Sequence, residues 1–125
     1  MSLSTQLINK GYKSNLSQGS LVTPIFRTST FCFPTSKDGK RSFEIAYQLD
    51  KPKKNEYPSL IYTRVNNPNM EILEERLSIL NRSSKSLVLS SGMGAISCTC
   101  MSFLKPGDSL IYTEPVYGGT DFLFN

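Results

Sequence analysis

Residues 86–113 constrain the fold most. SLVLS (86–90) is a short β-prone run, SSGMG turns a corner, and AISCTCMSFL (95–104) reads as a helix of small residues. KPGD (105–108) is a turn signal and SLIYT (109–113) a second β-prone run. Strand, corner, helix, turn and strand make a βαβ unit, which belongs to a parallel sheet covered on both faces. Two parallel strands and two helices cannot supply that cover. A chain of 125 residues is therefore expected to be the front end of a larger α/β protein.

Upstream, one helix stands out. Asn67 followed by Pro68 is a good N-cap and first-turn pair, and Met70, Leu73, Leu77 and Leu80 then recur at helical spacing. Acids at the start and Arg82 at the end complement the helix dipole, so a helix is predicted over 68–82. Residues 1–60 show no sustained period. Turn formers punctuate them at SQGS, Pro24, Pro34, SKDGK, Pro52 and Pro58. They read as an extended arm with one short helix at 41–49, lying on another subunit or domain.

Composition removes several kinds of chemistry. The chain has no histidine, which excludes Ser–His and Cys–His catalysis and HExxH zinc sites within it, and no metal site is expected. Its three cysteines, Cys32, Cys98 and Cys100, read as reduced thiols of a cytoplasmic protein, with the last two packing a helix. The net charge of +4 gathers at Lys37–Arg41, Lys51–Lys54 and Arg82–Lys85 beside turn formers, as solvated loops do. Nucleic-acid binding is not expected, since it wants a basic face interleaved with aromatics. No run of about 18 apolar residues would cross a membrane, and the start has no signal-peptide core.

The corner can bind an anion. In a parallel sheet, ligands sit where the chain leaves a strand and opens a helix, and the first N–H groups of that helix have no internal partner. The same glycines also fit a plain tight turn. GMGAIS (92–97) matches two glycines of the dinucleotide fingerprint, with Glu114 twenty residues after Gly94 as a ribose-binding acid. Ser97 stands where its third glycine should be, however. A Walker phosphate loop is excluded, because Gly-Lys-Ser/Thr is absent.

IYTRVNNPN (61–69), SSGMGAI (90–96) and EPVYGGT (114–120), with a TPI…TSTF-like stretch at Thr23–Phe31, follow in an order and spacing that resemble one family. This is the cysteine/methionine-metabolism group of pyridoxal-phosphate (PLP) enzymes, which includes cystathionine γ-synthase, cystathionine lyases and methionine γ-lyase. The resemblance implies a fold-type I (aspartate-aminotransferase-like) α/β protein. Residues 1–66 would be an inter-subunit arm and 67–125 the truncated start of the PLP-binding large domain. It implies a homo-oligomer, dimer or tetramer, acting on a small amino-acid substrate. Gly92 and Met93 would offer N–H groups to the cofactor phosphate. Tyr62 and Arg64 would reach the phosphate of a neighbouring subunit. Tyr117 would lie over the pyridine ring and help proton transfer at the substrate sulfur. Many members read G-N-P-T where this chain has Asn66-Asn67-Pro68-Asn69, and alanine is more usual than Gly94.

The lysine that carries the cofactor, the acid facing the pyridine nitrogen and the cation for the substrate carboxylate lie later in family members. No lysine here has a matching context. The chain alone is thus expected to be inactive, its parent being a transsulfuration enzyme with a slight lean towards γ-replacement of the cystathionine γ-synthase type. The alternative is a non-catalytic module that joins a full-length homologue.

Overall fold

The computed structural model describes residues 2–54, 56 and 59–125 as two compact units, one running to Ser86 and one from Leu87 to Asn125. The turn expected at Pro58 lies outside the described residues.

In the first unit, α1 (Leu3–Asn9) begins at Ser2, whose Oγ accepts the Thr5 N–H at 3.2 Å. A seven-residue helix is too short to show a period, so only its serine cap announces it. Arg76 donates to the carbonyls of Ile8 (3.0 Å) and Lys10 (3.4 Å), which closes the far end of α1. A single 3₁₀ turn follows at Ser14–Ser17. Gly11 sits at φ +80°, and a Cβ there would come 3.1 Å from the Ile72 carbonyl, so glycine is required for this approach.

The next helix, α2, spans Ser36–Ala46 and begins before the expected 41–49. Thr35 Oγ1 accepts the Asp38 N–H (3.2 Å) and donates to the Asp38 carboxylate (2.7 Å). That capping turns SKDGK from a loop signal into a helix start. Gly39 fits beneath the Phe33 ring, where a Cβ would lie 3.0 Å from Cδ2. Arg41 departs from the expected solvated loop. Its Nε and Nη2 donate to the two Glu56 oxygens (2.8 and 2.7 Å), Nη1 to Asp50 (2.5 Å) and Nη2 to the Lys51 carbonyl (3.0 Å). These charge-assisted bonds tie the loop after α2 back onto the helix. The Arg41 bond draws the Glu56 carboxyl down to about 2 and lowers that of Asp50.

The helix predicted over 68–82 is α3, Pro68–Asn81. Asn67 Oδ1 accepts the Asn69 N–H at 2.9 Å, and Arg82 ends the helix at φ 53° while Ser83 N–H returns to the Ser78 carbonyl (2.9 Å). Burial corrects the expected stripe. Ile72 is the buried side chain of α3, 7% exposed, while Leu73 and Leu80 face solvent. α1 packs against α3, and Gly11 just beyond α1 lies against the Ile72 backbone. Ile72 and Ile61 are the buried apolar side chains among the described residues.

Two segments of this unit pair. Phe31 N–H donates to the Ile61 carbonyl (3.2 Å) and Thr63 N–H to the Ser29 carbonyl (2.9 Å), making an antiparallel bridge between Thr30 and Tyr62.

In the second unit, α4 spans Gly92–Phe103, so the corner glycines already lie in the helix expected from 95. A further helix, α5 (Gly118–Phe124), occupies what reads in sequence as loop. The two helices pack together and leave an open apolar groove lined by Cys100, Met101, Leu104, Leu110, Leu123 and Phe124. Tyr112 adds a ring contact to Phe124, with centroids 4.9 Å apart. Residues 86–90 and 109–113 form no strand, and no ladder exists in either unit among the described residues. A β-prone run becomes a strand only when a neighbour takes its backbone groups. Cys98 is exposed and does not pack the helix as expected; Cys100 faces the groove.

Candidate functional site

The site residues fall in two places, one in each unit. In the second unit, Ser91 caps α4: its Oγ accepts the Gly94 N–H at 3.0 Å, and its carbonyl accepts the Ala95 N–H at 3.0 Å. The N–H groups of Gly92 and Met93 therefore come before the first intrahelical bond, at the positive end of a 12-residue helix. Nothing lies within 4 Å of the place a Gly92 Cβ would occupy, so the approach is open. A Cβ on Gly94 would come 3.1 Å from Ser91 Oγ, which gives glycine a reason where alanine is more usual: it keeps the cap unstrained.

Tyr117 stands immediately before α5, its side chain 75% exposed. Gly119 runs beneath it. A Cβ there would lie 2.8 Å from the Tyr117 ring and 3.3 Å from Met93 Sδ. Thr120, buried, donates to Met93 Sδ at 3.6 Å. Met93, Tyr117, Gly119 and Thr120 thus converge, and the start of α4 is held against the start of α5. Gly119 and Thr120 escaped the sequence reading, although the glycine pair after an aromatic residue was the available signal. Glu114, the acid of the dinucleotide alternative, is exposed.

In the first unit, Tyr62 is 41% exposed and its backbone sits in the antiparallel bridge. The Arg64 guanidinium carbon lies 5.8 Å from the centre of the Tyr62 ring, within cation–π reach. Arg64 makes no ion pair among the described residues, which leaves its fork of donors available. Tyr62 and Arg64 share a tight turn, because the Tyr62 carbonyl accepts N–H groups from Val65 (2.7 Å) and Asn66 (2.9 Å).

Among the described residues no cluster of His, Cys, Asp or Glu could hold a metal ion, and no helix is long and apolar enough to cross a membrane. The donors at the α4 start suit a phosphate: two free N–H groups, a favourable dipole, an open glycine and the exposed Ser90 hydroxyl. An aromatic face stands beside them at Tyr117.

An open, serine-capped helix start and an aromatic side chain thus lie side by side in the second unit. The family described as Cys/Met metabolism PLP-dependent enzyme matches residues 4–125, and the chain belongs to that family. It is 37% identical over 117 residues to the L-methionine gamma-lyase of Pseudomonas deceptionensis, covering 94% of this chain and 27% of that protein. The L-methionine gamma-lyase of Fusobacterium nucleatum subsp. nucleatum is 37% identical over 123 residues, 98% of this chain and 28% of its own. The homocysteine/cysteine synthase of Saccharomyces cerevisiae is 32% identical over 101 residues, 81% and 20% respectively. The chain spans about a quarter of the length of these curated relatives. Family membership implies pyridoxal 5′-phosphate as cofactor.

Proposed function

We propose that this chain is the front part of a cytoplasmic, homo-oligomeric PLP enzyme that breaks the carbon–sulfur bond of methionine or a similar amino acid. Residues 1–66 serve as the inter-subunit arm and 67–125 begin the cofactor-binding large domain, with 86–90 and 109–113 as its first parallel strands. The convergence of Met93, Tyr117, Gly119 and Thr120 beside the free N–H groups of α4 carries this reading. The lean towards a lyase rests on the methionine gamma-lyases, which match at higher identity than the synthase. It replaces the lean towards a γ-replacement enzyme; the homocysteine synthase likeness keeps replacement as the second reading.

When bound, the cofactor supplies an electron sink for the amino-acid carbon skeleton. Gly92 and Met93 hold its phosphate through their N–H groups. Arg64, with Tyr62 beside it, adds a charged fork to the phosphate of the neighbouring subunit. Tyr117 presents its ring face to the cofactor, and its hydroxyl holds or delivers a proton at the substrate sulfur. Gly119 fixes where that ring can lie.

An absorbance titration with pyridoxal phosphate tests the reading. The 125-residue chain should give no borohydride-reducible band, because no lysine here has the right context. The full-length protein should give one, and should release a thiol from methionine. A reducible, stoichiometric band from the 125 residues alone would overturn the division of labour. Sulfide incorporation into an O-activated homoserine, without thiol release, would move the assignment to the synthases.

A further inference from the structure

The Asn66-Asn67-Pro68-Asn69 run departs from the family's usual G-N-P-T, and each asparagine side chain has backbone work. Asn67 caps α3 and its Nδ2 donates to Thr63 Oγ1 (3.1 Å) and the Thr28 carbonyl (3.4 Å). Asn69 takes the Phe26 N–H on Oδ1 (3.1 Å) and gives Nδ2 to the Phe26 carbonyl (2.8 Å), as a strand neighbour would. Asn66 takes the Ile61 N–H on Oδ1 (2.9 Å) and gives Nδ2 to the Ser59 carbonyl (3.2 Å).

The Asn66 contacts fall at a telling place. In an antiparallel pair a residue commonly directs both its N–H and its C=O at one neighbour. Ile61 gives its C=O to Phe31 but its N–H to Asn66, so the pairing around the Thr30–Tyr62 bridge goes no further there. Ile61 is 5% exposed, so an N–H left without a partner would carry the cost of an unsatisfied buried donor. The segment immediately after it is the turn 62–66, closed by the bonds of Val65 and Asn66 to the Tyr62 carbonyl. Asn66 therefore binds the turn twice, by its backbone at the far end and by its side chain across the base. Arg64 sits inside the turn so closed. A glycine at 66 would keep the backbone bond and lose both amide contacts.

We infer that Asn66 is a positioning residue that holds the turn bearing Tyr62 and Arg64 ready for a cofactor phosphate. It rests on the phosphate-contacting reading of Arg64. A long arginine side chain gains from a fixed backbone, since ordering the turn at the moment of binding would weaken the contact. Asn66 does not touch the phosphate; it acts through the geometry of Ile61–Val65.

The test compares Asn66→Ala, Asn66→Asp and Arg64→Ala in the full-length protein. Two quantities are read: hydrogen exchange over residues 59–66, and the ratio of affinities for pyridoxal 5′-phosphate and for pyridoxal, which lacks the phosphate. Asn66→Ala should raise exchange and lower the ratio by about tenfold, the scale of one lost buried hydrogen bond. Asn66→Asp keeps the acceptor for Ile61 N–H and should recover part of the ratio; should the alanine variant fail to fold, the aspartate variant's smaller loss carries the test. A raised exchange with an unchanged ratio reduces Asn66 to a loop tie and overturns the inference. So does an equal loss for both ligands. If Arg64→Ala leaves the ratio unchanged, the reading of Arg64 fails and takes the inference with it. A fall for Arg64→Ala with none for either Asn66 variant overturns the inference alone.

Discussion

Two stretches with similar β-prone composition end differently in the two units. In the first, 26–31 and 59–63 pair around Thr30 and Tyr62, and carboxamides of Asn66, Asn67 and Asn69 take backbone groups that a wider sheet would have taken. In the second, 86–90 and 109–113 flank a well-capped helix yet form no ladder with each other. Residues 109–113 include Ile111, 96% exposed. The first stretch meets its backbone needs with side chains a few residues away. The two runs of the second unit form no strand among the described residues, although α4 lies between them.

That contrast can be broken by substitution. Ile72→Ala should cost the first unit about 2–3 kcal/mol, by lost burial and the cavity left behind. Denaturant unfolding followed by hydrogen exchange in peptides of that unit measures it; a loss under about 1 kcal/mol would mean the unit has no real core. Asn67→Ala should cost about 2 kcal/mol, since a buried amide loses a helix cap and two donated bonds at once. Asn67→Asp, which keeps the cap alone, should recover roughly half of that.

In the second unit the effects should be smaller. Ser91→Ala removes the α4 cap and should cost about 1 kcal/mol, seen as faster exchange at Gly94. Ile111→Ala should change stability by less than about 0.5 kcal/mol in this chain. A larger loss there would show that 109–113 is already packed and would erase the contrast.

The smallest effect is one of pH. The folded Glu56 carboxyl titrates at about 2, below its ordinary 4.5, because Arg41 donates to both of its oxygens. A lowered acid favours the folded state above its unfolded value, so the tie holds at neutral pH and is lost as pH falls from about 4.5 towards 2. Carboxyl NMR of Glu56 should show this, and Arg41→Gln should return the midpoint towards 4.5. A midpoint already near 4.5 would mean that the loop after α2 is not held.

Several features were legible residue by residue. Asn67-Pro68 announced α3 to within a residue at each end, because capping and the fixed φ of proline act locally. The corner at 90–96 announced a helix start with free N–H groups for the same reason, and the order of three short motifs identified the family. What the sequence hid was what depends on distant partners. Ile72, not Leu73 or Leu80, is the buried side chain of α3, and nothing within 68–82 encodes that choice. Arg41 looked like one more loop charge until folding brought Glu56 and Asp50 to it across 15 and 9 residues. The closeness of Gly119 to Tyr117 and Met93 is likewise a product of α4 meeting α5. Caps, turns and motif order are decided over three or four residues, so the sequence determines them by itself. Which face is buried, which charge is paired and which glycine is indispensable are decided by the surface that arrives opposite, and only the tertiary structure supplies it.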